Sequence, residues 1–186
     1  DNAAAKQKII VTLYENFFKK GFERVTDAMG IVFTPVEVVD FIIRSVDNAL
    51  QKYFGKHLSD QNVHILDPFT GTGTFITRTL QYFKEQMDAG EITYQDILRK
   101  YMHELHANEI ILLSYYIAAI NIEAVFDEVN GPDRGYKPFD GIVLTDTFES
   151  TERENSFMDE LLGENNQRLK AEQNQPITAI ISNPPY

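Results

Sequence analysis

Residues 183–186, Asn-Pro-Pro-Tyr, combine a carboxamide, two rigid residues and an aromatic ring. Each proline fixes its own φ and pushes the residue before it into extended geometry. The Asn183 side chain and the Pro184 carbonyl are therefore expected to present two hydrogen-bond acceptors at a fixed spacing at the edge of a site. Such a pair suits a planar NH₂ group with two donors, like the exocyclic amine of adenine.

Asn183, Pro184, Pro185 and Tyr186 would make that amine reactive. Its lone pair is delocalised into the ring, and accepting both hydrogens favours a pyramidal nitrogen that can attack a methyl donor in line. Tyr186 adds a flat face for base stacking, worth about 1–3 kcal/mol. A base in a duplex would have to be flipped out to reach it. The structural alternative is a rigid exit from a strand with a tyrosine in the core.

A second stretch whose residues could bind a ligand runs from Val63 to Phe75 and reads V-H-I-L-D-P-F-T-G-T-G-T-F. A short apolar run ends in Asp67, and Gly71 and Gly73 follow before a helical pattern begins. Strand, glycine loop and helix open a doubly wound α/β sheet, where ligands bind at the carboxyl ends of the strands. Glycines allow positive φ and a close approach of the backbone to a ligand.

The loop differs from two phosphate-binding fingerprints. A dinucleotide fingerprint needs a third small residue where this chain has Ile76, which disfavours a nicotinamide oxidoreductase. A P-loop needs Gly-Lys-Ser/Thr, and no lysine lies between Lys56 and Lys84. Because the loop begins with Asp67, it would repel a phosphate and attract a cation. The amino group and sulfonium of S-adenosylmethionine (SAM) fit this loop, so SAM is the predicted cofactor.

Four predicted strands end in a polar or acidic residue, namely Asp67, Glu109, Asp146 and Asn183. The carboxyl ends of parallel strands lie along one edge of a sheet, so all four side chains are expected to converge on one crevice. One such strand end is common by chance. Four together, with a glycine loop after the first, indicate a binding site.

Each carboxylate then has a predicted role toward SAM. Asp67 would attract its cationic methionine end, directly or through water, while Gly71 and Gly73 allow backbone contact. Glu109 would accept both ribose hydroxyls. Asp146 would accept a hydrogen bond from the adenine amine, with helix N-cap as the alternative reading. A phenylalanine, Phe148 or Phe69, would pack on the adenine ring.

Hydrophobic periodicity predicts the elements that must position these residues. Helices are predicted over residues 3–20, 35–53, 75–87, 92–100 and 110–126, and strands over 63–66, 102–107, 140–145 and 177–182. Thr34, Pro35 and Glu37 form a predicted capping box for the second helix. The alternation of strands and helices predicts an α/β fold with a doubly wound, mostly parallel sheet.

Composition narrows the class of protein. The chain has 186 residues, 43% of them apolar, and contains no cysteine, which excludes disulfides and thiolate metal sites. No apolar run approaches the roughly 20 residues of a membrane span, and no signal peptide is visible, so a cytoplasmic protein without a membrane partner is expected. The four histidines show no metal-ligand grouping, and no metal site is predicted. The net charge of −11 argues against tight nucleic-acid binding by these residues themselves.

Taken together, the motifs resemble those of DNA adenine-N6 amino-methyltransferases. The matching segments are F-T-P at Phe33–Pro35, D-P-F-T-G-T-G-T-F at Asp67–Phe75, A-N-E at Ala107–Glu109, L-T-D-T-F at Leu144–Phe148 and N-P-P-Y at Asn183–Tyr186. F-T-P comes before the glycine motif, which is the gamma arrangement. The resemblance implies a Rossmann-like class I SAM-dependent methyltransferase core over residues 30–186, following an N-terminal helical segment over 1–29. It also implies that Thr34 contacts the methionine part of SAM, and it adds further cofactor-site residues, namely Pro35, Pro68, Thr74 and Phe75.

The segment V-E-V-V-D-F-I-I after F-T-P, together with L-T-D-T-F, is most similar to the methyltransferase part of large single-polypeptide restriction–modification enzymes. Those enzymes carry nuclease and helicase-like translocase domains, and residues 1–29 would then be a coupling region. The resemblance implies double-stranded DNA as partner, bound through a recognition region absent from this chain. The core would be truncated after the fourth strand, leaving that strand at an open edge. We therefore expect weak or no methyl transfer by the isolated chain.

Two other functions remain open on the residues alone. Asn-Pro-Pro-Tyr suits planar nitrogens in general, so a glutamine amide in a protein or a guanine amine in RNA are alternative acceptors. The F-T-P element ahead of the glycine loop favours DNA. The second of these functions is that of a non-catalytic SAM-binding module of a larger assembly.

Overall fold

A computed structural model describes residues 34–148 and 163–185. Within them a four-stranded sheet contains β1 (His64–Asp67), β2 (Leu105–Glu109), β3 (Ile142–Leu144) and β4 (Ile177–Ile180). All neighbouring strands pair in parallel, in the order β3-β2-β1-β4. The predicted helix over 3–20, the rest of segment 1–29 and Tyr186 lie outside the described residues.

Helices alternate with the strands, as the sequence predicts for an α/β fold. They are α1 (Val36–Phe54), α2 (Thr74–Asp88), α3 (Tyr94–Arg99), α4 (Leu112–Asn130) and α5 (Gly163–Gln173), with a π-helical turn at Lys100–Glu104 and a 3₁₀ turn at Pro132–Arg134. Helices α1, α2 and α4 pack side by side, and α5 packs against β3. The Rossmann-like fold class is confirmed. No described helix is both long enough and apolar enough to cross a bilayer.

The alternation of residues along the strands defines the core, and the order of the strands defines the position of the site. Apolar strand residues are buried and pack with the apolar side chains of α1, α2 and α4. These strand residues are Ile65, Leu105, Ala107, Ile142 and Ala179. The chain moves outward from β1 through β2 to β3 and then returns to the other side of β1 as β4. The carboxyl ends of β1 and β4 therefore flank the point where the strand order reverses, which is where ligands bind in open α/β sheets.

The start of α1 differs from the prediction. Pro35 is the N-cap residue, and no side chain caps the first turn, so the predicted capping box of Thr34 and Glu37 is wrong. The Thr34 hydroxyl instead accepts a hydrogen bond from Asn183 Nδ2 at 3.1 Å. The Thr34 hydroxyl oxygen could accept either a backbone N–H of the first turn of α1 or the distant Asn183 amide, and it accepts the Asn183 amide.

The start of β2 also differs from the prediction. The strand begins at Leu105 and not at Met102, because α3 continues into the π-helical turn. Lys100, which has no exposed surface, lies at the start of that turn. Its ammonium group donates to the carbonyls of Asp60 and Val63 and pairs with a Glu104 carboxylate oxygen at 2.8 Å. These contacts hold the turn against the chain that enters β1.

A bidentate ion pair joins the first two helices. Arg78 on α2 donates through Nε and Nη2 to the two carboxylate oxygens of Asp40 on α1, each at 2.6 Å. Fork-to-fork pairing of this kind adds geometric specificity to the attraction. It holds α1, and with it Thr34, against the helix that starts at the glycine loop.

Candidate functional site

A cavity of about 250 Å³ opens at the carboxyl ends of the strands. Most residues of the predicted site line it, although they come from distant parts of the chain. They are Thr34, Pro68, Phe69, Gly71, Thr74, Phe75, Glu109, Asp146, Phe148, Asn183 and Pro185. The fold thus brings the first, second, third and fourth strand ends and the residue ahead of α1 to one place.

Four other predicted site residues are not part of the cavity wall. Asp67 is buried behind the glycine loop, and Gly73 belongs to that loop but lies against α4. Pro35 and Pro184 are the chain neighbours of Thr34 and Asn183. The difference is greatest for Asp67, since a carboxylate behind the wall acts on a ligand through its field or through water. It has no direct contact with the cavity.

Asp67 is a buried acid with an incomplete set of partners. It is 1% exposed, and its Oδ1 accepts hydrogen bonds from the Phe69 N–H at 3.2 Å and the Ser182 hydroxyl at 2.6 Å. Its Oδ2 is buried without a partner among the described residues. Burial raises the pKa of Asp67 to about 7; the two donated hydrogen bonds oppose this, and the nearby Glu109 charge adds to it.

Glu109 closes the end of β2 against the glycine loop. One carboxylate oxygen accepts the Gly71 N–H at 2.7 Å and the other accepts the Ile111 N–H at 2.7 Å. Burial raises the pKa of Glu109, and these backbone hydrogen bonds partly offset the rise. Because each carboxylate oxygen can accept more than one hydrogen bond, Glu109 can still receive ligand hydroxyls from the cavity side.

Two glycines give the loop its shape for different reasons. Gly71 has φ +57° and open space where a Cβ would stand, so only its backbone conformation favours glycine. Gly73 has φ +87°, and its Cβ would lie 3.3 Å from the Ala118 carbonyl oxygen and 3.2 Å from an Ile122 carbon on α4. A side chain at Gly73 would therefore strain the backbone and also push the loop away from α4.

Replacing Gly73 by alanine is expected to destabilise the fold by about 2–3 kcal/mol. About 1–2 kcal/mol comes from the left-handed backbone, and crowding against α4 contributes on the order of another 1 kcal/mol. Gly55→Ala is the matched control, because Gly55 has φ +62° and open space around it, far from the cavity. Urea denaturation followed by circular dichroism measures both losses. Equal losses would show that contact with α4 plays no part.

The end of β3 supplies the aromatic part of the wall. Asp146 Oδ1 accepts the Phe148 N–H at 2.9 Å, which forms a tight turn after β3. The helix that Asp146 would cap in the alternative reading falls outside the described residues. The turn places the Phe148 ring 5.3 Å from the Phe69 ring, centroid to centroid. Phe148 is 69% exposed, so this aromatic pair presents apolar surface at the rim where a flat ligand ring could pack.

Asn183 is held by its amide nitrogen, which donates to Thr34 Oγ1 at 3.1 Å. This bond does not use the carboxamide oxygen. The bond joins the last strand end to the residue ahead of α1, so the F-T-P and N-P-P-Y motifs meet at a single contact.

Three residues that the sequence reasoning did not single out support the site. Ser182 donates to Asp67, Thr147 donates to the Pro68 carbonyl at 2.7 Å, and Asn121 donates to the Thr72 carbonyl at 2.9 Å. Asn121 is a buried amide between Ile120 and Ile122 in the apolar first half of α4, which is a visible signal in the sequence. Ser182 and Thr147 adjoin predicted site residues, but their partners are not visible in the sequence.

The histidines take no part in this cavity. His64 and His106 stack with ring centroids 5.3 Å apart and a nitrogen–nitrogen distance of 3.0 Å, on the sheet face that α5 covers. Within the described ranges 34–148 and 163–185, no group of three or more His, Cys, Asp or Glu residues is arranged to hold a metal ion.

A family model and several solved structures match this chain. The family model described as N-6 DNA Methylase matches residues 5–186. A solved structure of a nuclease-deletion mutant of the Type ISP restriction-modification enzyme LlaGI, in complex with a DNA substrate mimic, is 68% identical with a TM-score of 0.89. The ATP-dependent Type ISP restriction-modification enzyme LlaBIII bound to DNA is 67% identical with a TM-score of 0.91. A DrdV–DNA complex is 39% identical with a TM-score of 0.85.

These matches cover nearly all of this chain but little of the other proteins. They take in 98–100% of this chain and 14%, 12% and 17% of LlaGI, LlaBIII and DrdV, respectively. The chain therefore spans about one seventh of the length of the first two solved relatives. A search of curated proteins gave no match.

Proposed function

This chain belongs to the N-6 DNA methylase family, and from that premise we propose that it transfers a methyl group from SAM to the exocyclic amine of adenine in DNA. We also propose that it is the methyltransferase part of a larger restriction–modification polypeptide, in which a separate region recognises DNA and further domains cleave and translocate it. The observation that carries the proposal is that Asn183, Thr34, Glu109 and Asp146 line a single cavity.

The residues of the cavity fit SAM better than a phosphate-bearing cofactor. Of the lining residues within the described ranges, none is basic, while Glu109 and Asp146 are acidic. Asp67 is buried behind the loop and has one unpartnered carboxylate oxygen. When ionised, it adds negative electrostatic potential to the cavity. A cation with a ribose and an aromatic base matches this set, with Thr34 and the glycine loop toward its methionine end.

When bound, SAM supplies an electrophilic methyl group on a positively charged sulfur. Glu109 holds the ribose hydroxyls, and Asp146 accepts from the adenine amine of the cofactor. The aromatic pair of Phe69 and Phe148, with rings 5.3 Å apart, excludes water from the adenine face. Pro35, Pro68, Thr74 and Phe75 shape the rest of the cofactor site.

Asn183 and Pro184 act on the acceptor base. The Asn183 oxygen and the Pro184 carbonyl each accept one hydrogen of the flipped adenine amine, which localises the nitrogen lone pair for attack. Pro185 lies in the cavity wall next to this point. Tyr186 stacks on the base and keeps its ring plane fixed. The chain's part in the reaction is thus orientation and lone-pair localisation, which needs no metal.

Radiolabelled methyl transfer by the full polypeptide tests the proposal, with DNA, RNA and protein offered in parallel and the digested product analysed for N6-methyladenine. Label on DNA adenine is the expected result. Label on RNA guanine or protein glutamine would keep the cofactor and change the acceptor. SAM binding without any transfer would instead favour a non-catalytic SAM-binding module.

The isolated 186-residue chain is expected to transfer methyl groups weakly or not at all, because its net charge of −11 opposes binding of the DNA phosphates. The same assay with the isolated chain checks this. Sequence-specific adenine methylation by these residues alone would contradict it.

SAM affinity is expected to rise with pH between about 5.5 and 7.5. The pKa of Asp67 is about 7 in the free protein, and a cationic ligand favours the ionised form, so affinity should increase with pH below that pKa, by at most about tenfold per pH unit for this group. Glu109, whose pKa is also raised, acts in the same direction. Calorimetry in buffers of different ionisation enthalpy measures both the affinity and the proton released.

Asp67→Asn is the control for this pH dependence. The variant should bind SAM more weakly at pH 7.5 and show a much smaller slope with pH. A pH-independent SAM affinity of the wild type would contradict the prediction.

The raised pKa of Asp67 also affects folding stability. The carboxyl ionises near pH 3.8 in the unfolded chain and near pH 7 in the folded protein, so the ligand-free protein loses stability as pH rises between these two values.

A further inference from the structure

Two adjacent residues attach the N-P-P-Y loop to the rest of the site. Ser182 donates its hydroxyl to Asp67 Oδ1 at 2.6 Å, and Asn183 donates its amide to Thr34 at 3.1 Å. The two partners precede these residues by 115 and 149 positions in the chain. The loop that places the acceptor base is therefore tied separately to the glycine loop and to the start of α1.

The Ser182 bond joins the two loops through a single oxygen atom. Asp67 Oδ1 also accepts the Phe69 N–H at 3.2 Å, so the glycine loop and the N-P-P-Y loop share one acceptor. Asp67 is 1% exposed, and bulk water has little access to compete for it. A hydroxyl-to-carboxylate bond of 2.6 Å is in the short, charge-assisted class.

Ser182 stands at the point where the chain leaves the sheet. Its neighbour Ile181 still donates its N–H to the Leu66 carbonyl at 3.0 Å, which extends the pairing of β4 with β1. The Ile181 side chain is buried in the core at 3% exposure. Sheet pairing ends there, so beyond Ile181 the first side-chain tie of the departing loop is the Ser182 hydroxyl.

We propose that Ser182 is a positioning residue for methyl transfer, whose hydroxyl bond to Asp67 couples the cofactor-binding loop to the placement of Asn183. The inference rests on the proposed function. Ser182 touches neither cofactor nor base; it acts through Asp67 on one side and through its peptide bond to Asn183 on the other.

Three groups close to Asp67 affect its ionisation, and they predict how loss of the Ser182 hydroxyl changes its pKa. They are the Ser182 hydroxyl from the N-P-P-Y side, the Phe69 N–H from the glycine loop and the Glu109 carboxylate from the end of β2. Ser182 and Phe69 stabilise the ionised form, and Glu109 disfavours it. Loss of the hydroxyl removes the shorter of the two hydrogen bonds and leaves the Glu109 repulsion in place, so Asp67 should then ionise only at higher pH.

A Ser182→Ala variant of the full polypeptide separates positioning from general stability. We expect kcat for DNA methylation to fall about tenfold, since one hydrogen bond to a charged group is lost. KM for DNA should stay within about twofold, because no DNA contact is removed. The midpoint of the pH dependence of SAM binding should move upward. The bond between Asn183 and Thr34 remains in the variant and keeps the loop attached.

Three further variants control this result. Ser182→Thr keeps the hydroxyl and should restore kcat to within about threefold and return the pH midpoint. Ser182→Cys, with a weak S–H donor, should lie between alanine and wild type. Thr178→Ala, on the same strand, removes an exposed hydroxyl that donates to the Pro176 carbonyl, and should behave as wild type. Circular dichroism verifies that each variant folds; if Ser182→Ala does not, the threonine and cysteine variants carry the comparison.

Two outcomes would overturn the inference. One is a Ser182→Ala enzyme with wild-type kcat and pH midpoint. The other is a loss of kcat with an unchanged midpoint and no rescue by threonine, which is the behaviour of a purely structural residue. If the wild-type polypeptide transfers no methyl group at all, the proposed function fails, and the midpoint of SAM binding alone then decides the coupling between Ser182 and Asp67.

Discussion

Asn183→Ala is expected to lower kcat for methyl transfer by about 10²–10³-fold while leaving SAM affinity within about threefold, by analogy with the loss of one preorganised polar group from a catalytic site. The variant removes the carboxamide oxygen that accepts a hydrogen of the adenine amine. It also removes the amide that donates to Thr34 at 3.1 Å, so the loop loses its side-chain hydrogen bond to the residue ahead of α1. Single-turnover transfer with saturating SAM and DNA measures the effect on the chemical step.

Asn183→Asp separates these two losses. A carboxylate keeps accepting oxygens in nearly the same place, and the Thr34 hydroxyl can reverse its role and donate to it. This variant should therefore retain transfer to within about tenfold of wild type. An alanine variant as active as the aspartate variant would show that the Asn183 oxygen does not act on the acceptor amine.

The largest stability effect is expected at Lys100. Replacing it by methionine should cost up to about 3–5 kcal/mol, the range for breaking a buried ion pair, because Glu104 then keeps only Arg99 at 3.4 Å and the Asn62 N–H as partners. The Lys100 side chain has no exposed surface and Glu104 is 5% exposed in its side chain, with 2.8 Å between the charged groups. The carbonyls of Asp60 and Val63 lose a donor at the same time.

Lys84→Met is the matched control for Lys100→Met. Lys84 pairs with Asp88 at 2.6 Å on the outer face of α2, where the two side chains are 40% and 58% exposed. An exposed pair contributes about 0–1 kcal/mol, so this variant should be close to wild type. Urea denaturation monitored by far-UV circular dichroism compares the two. Similar midpoints for both variants would contradict the role given to the buried lysine.

Lys100 also explains where the sequence-based prediction of β2 was wrong. The pattern from Met102 to Ala107 predicts a strand, yet the strand is Leu105–Glu109. The preceding turn is held by contacts to residues about 40 positions earlier in the chain. Local propensity does not contain those partners, so it cannot place the boundary. The strand also runs two residues past the predicted end at Ala107, and Glu109, the polar residue predicted to close it, is its last residue.

Much of the site was nevertheless predictable, because its signals are local. A buried run ending in Asp67, two glycines with positive φ and a following helix form one continuous stretch. Asn-Pro-Pro-Tyr restricts its own backbone. Parallel strands then bring their carboxyl ends together, which places Glu109, Asp146 and Asn183 on one cavity without any further information.

The sequence by itself therefore determined the fold class, the polar residues that end the strands and most of the residues that line the cavity. Only the tertiary structure decided which atoms pair there. Thr34 could cap α1 or meet Asn183, and Asp67 could line the cavity or lie beneath it bonded to Ser182. Periodicity and turn chemistry act over a few residues, whereas these pairs join positions more than 100 residues apart, and only packing brings them within hydrogen-bond distance.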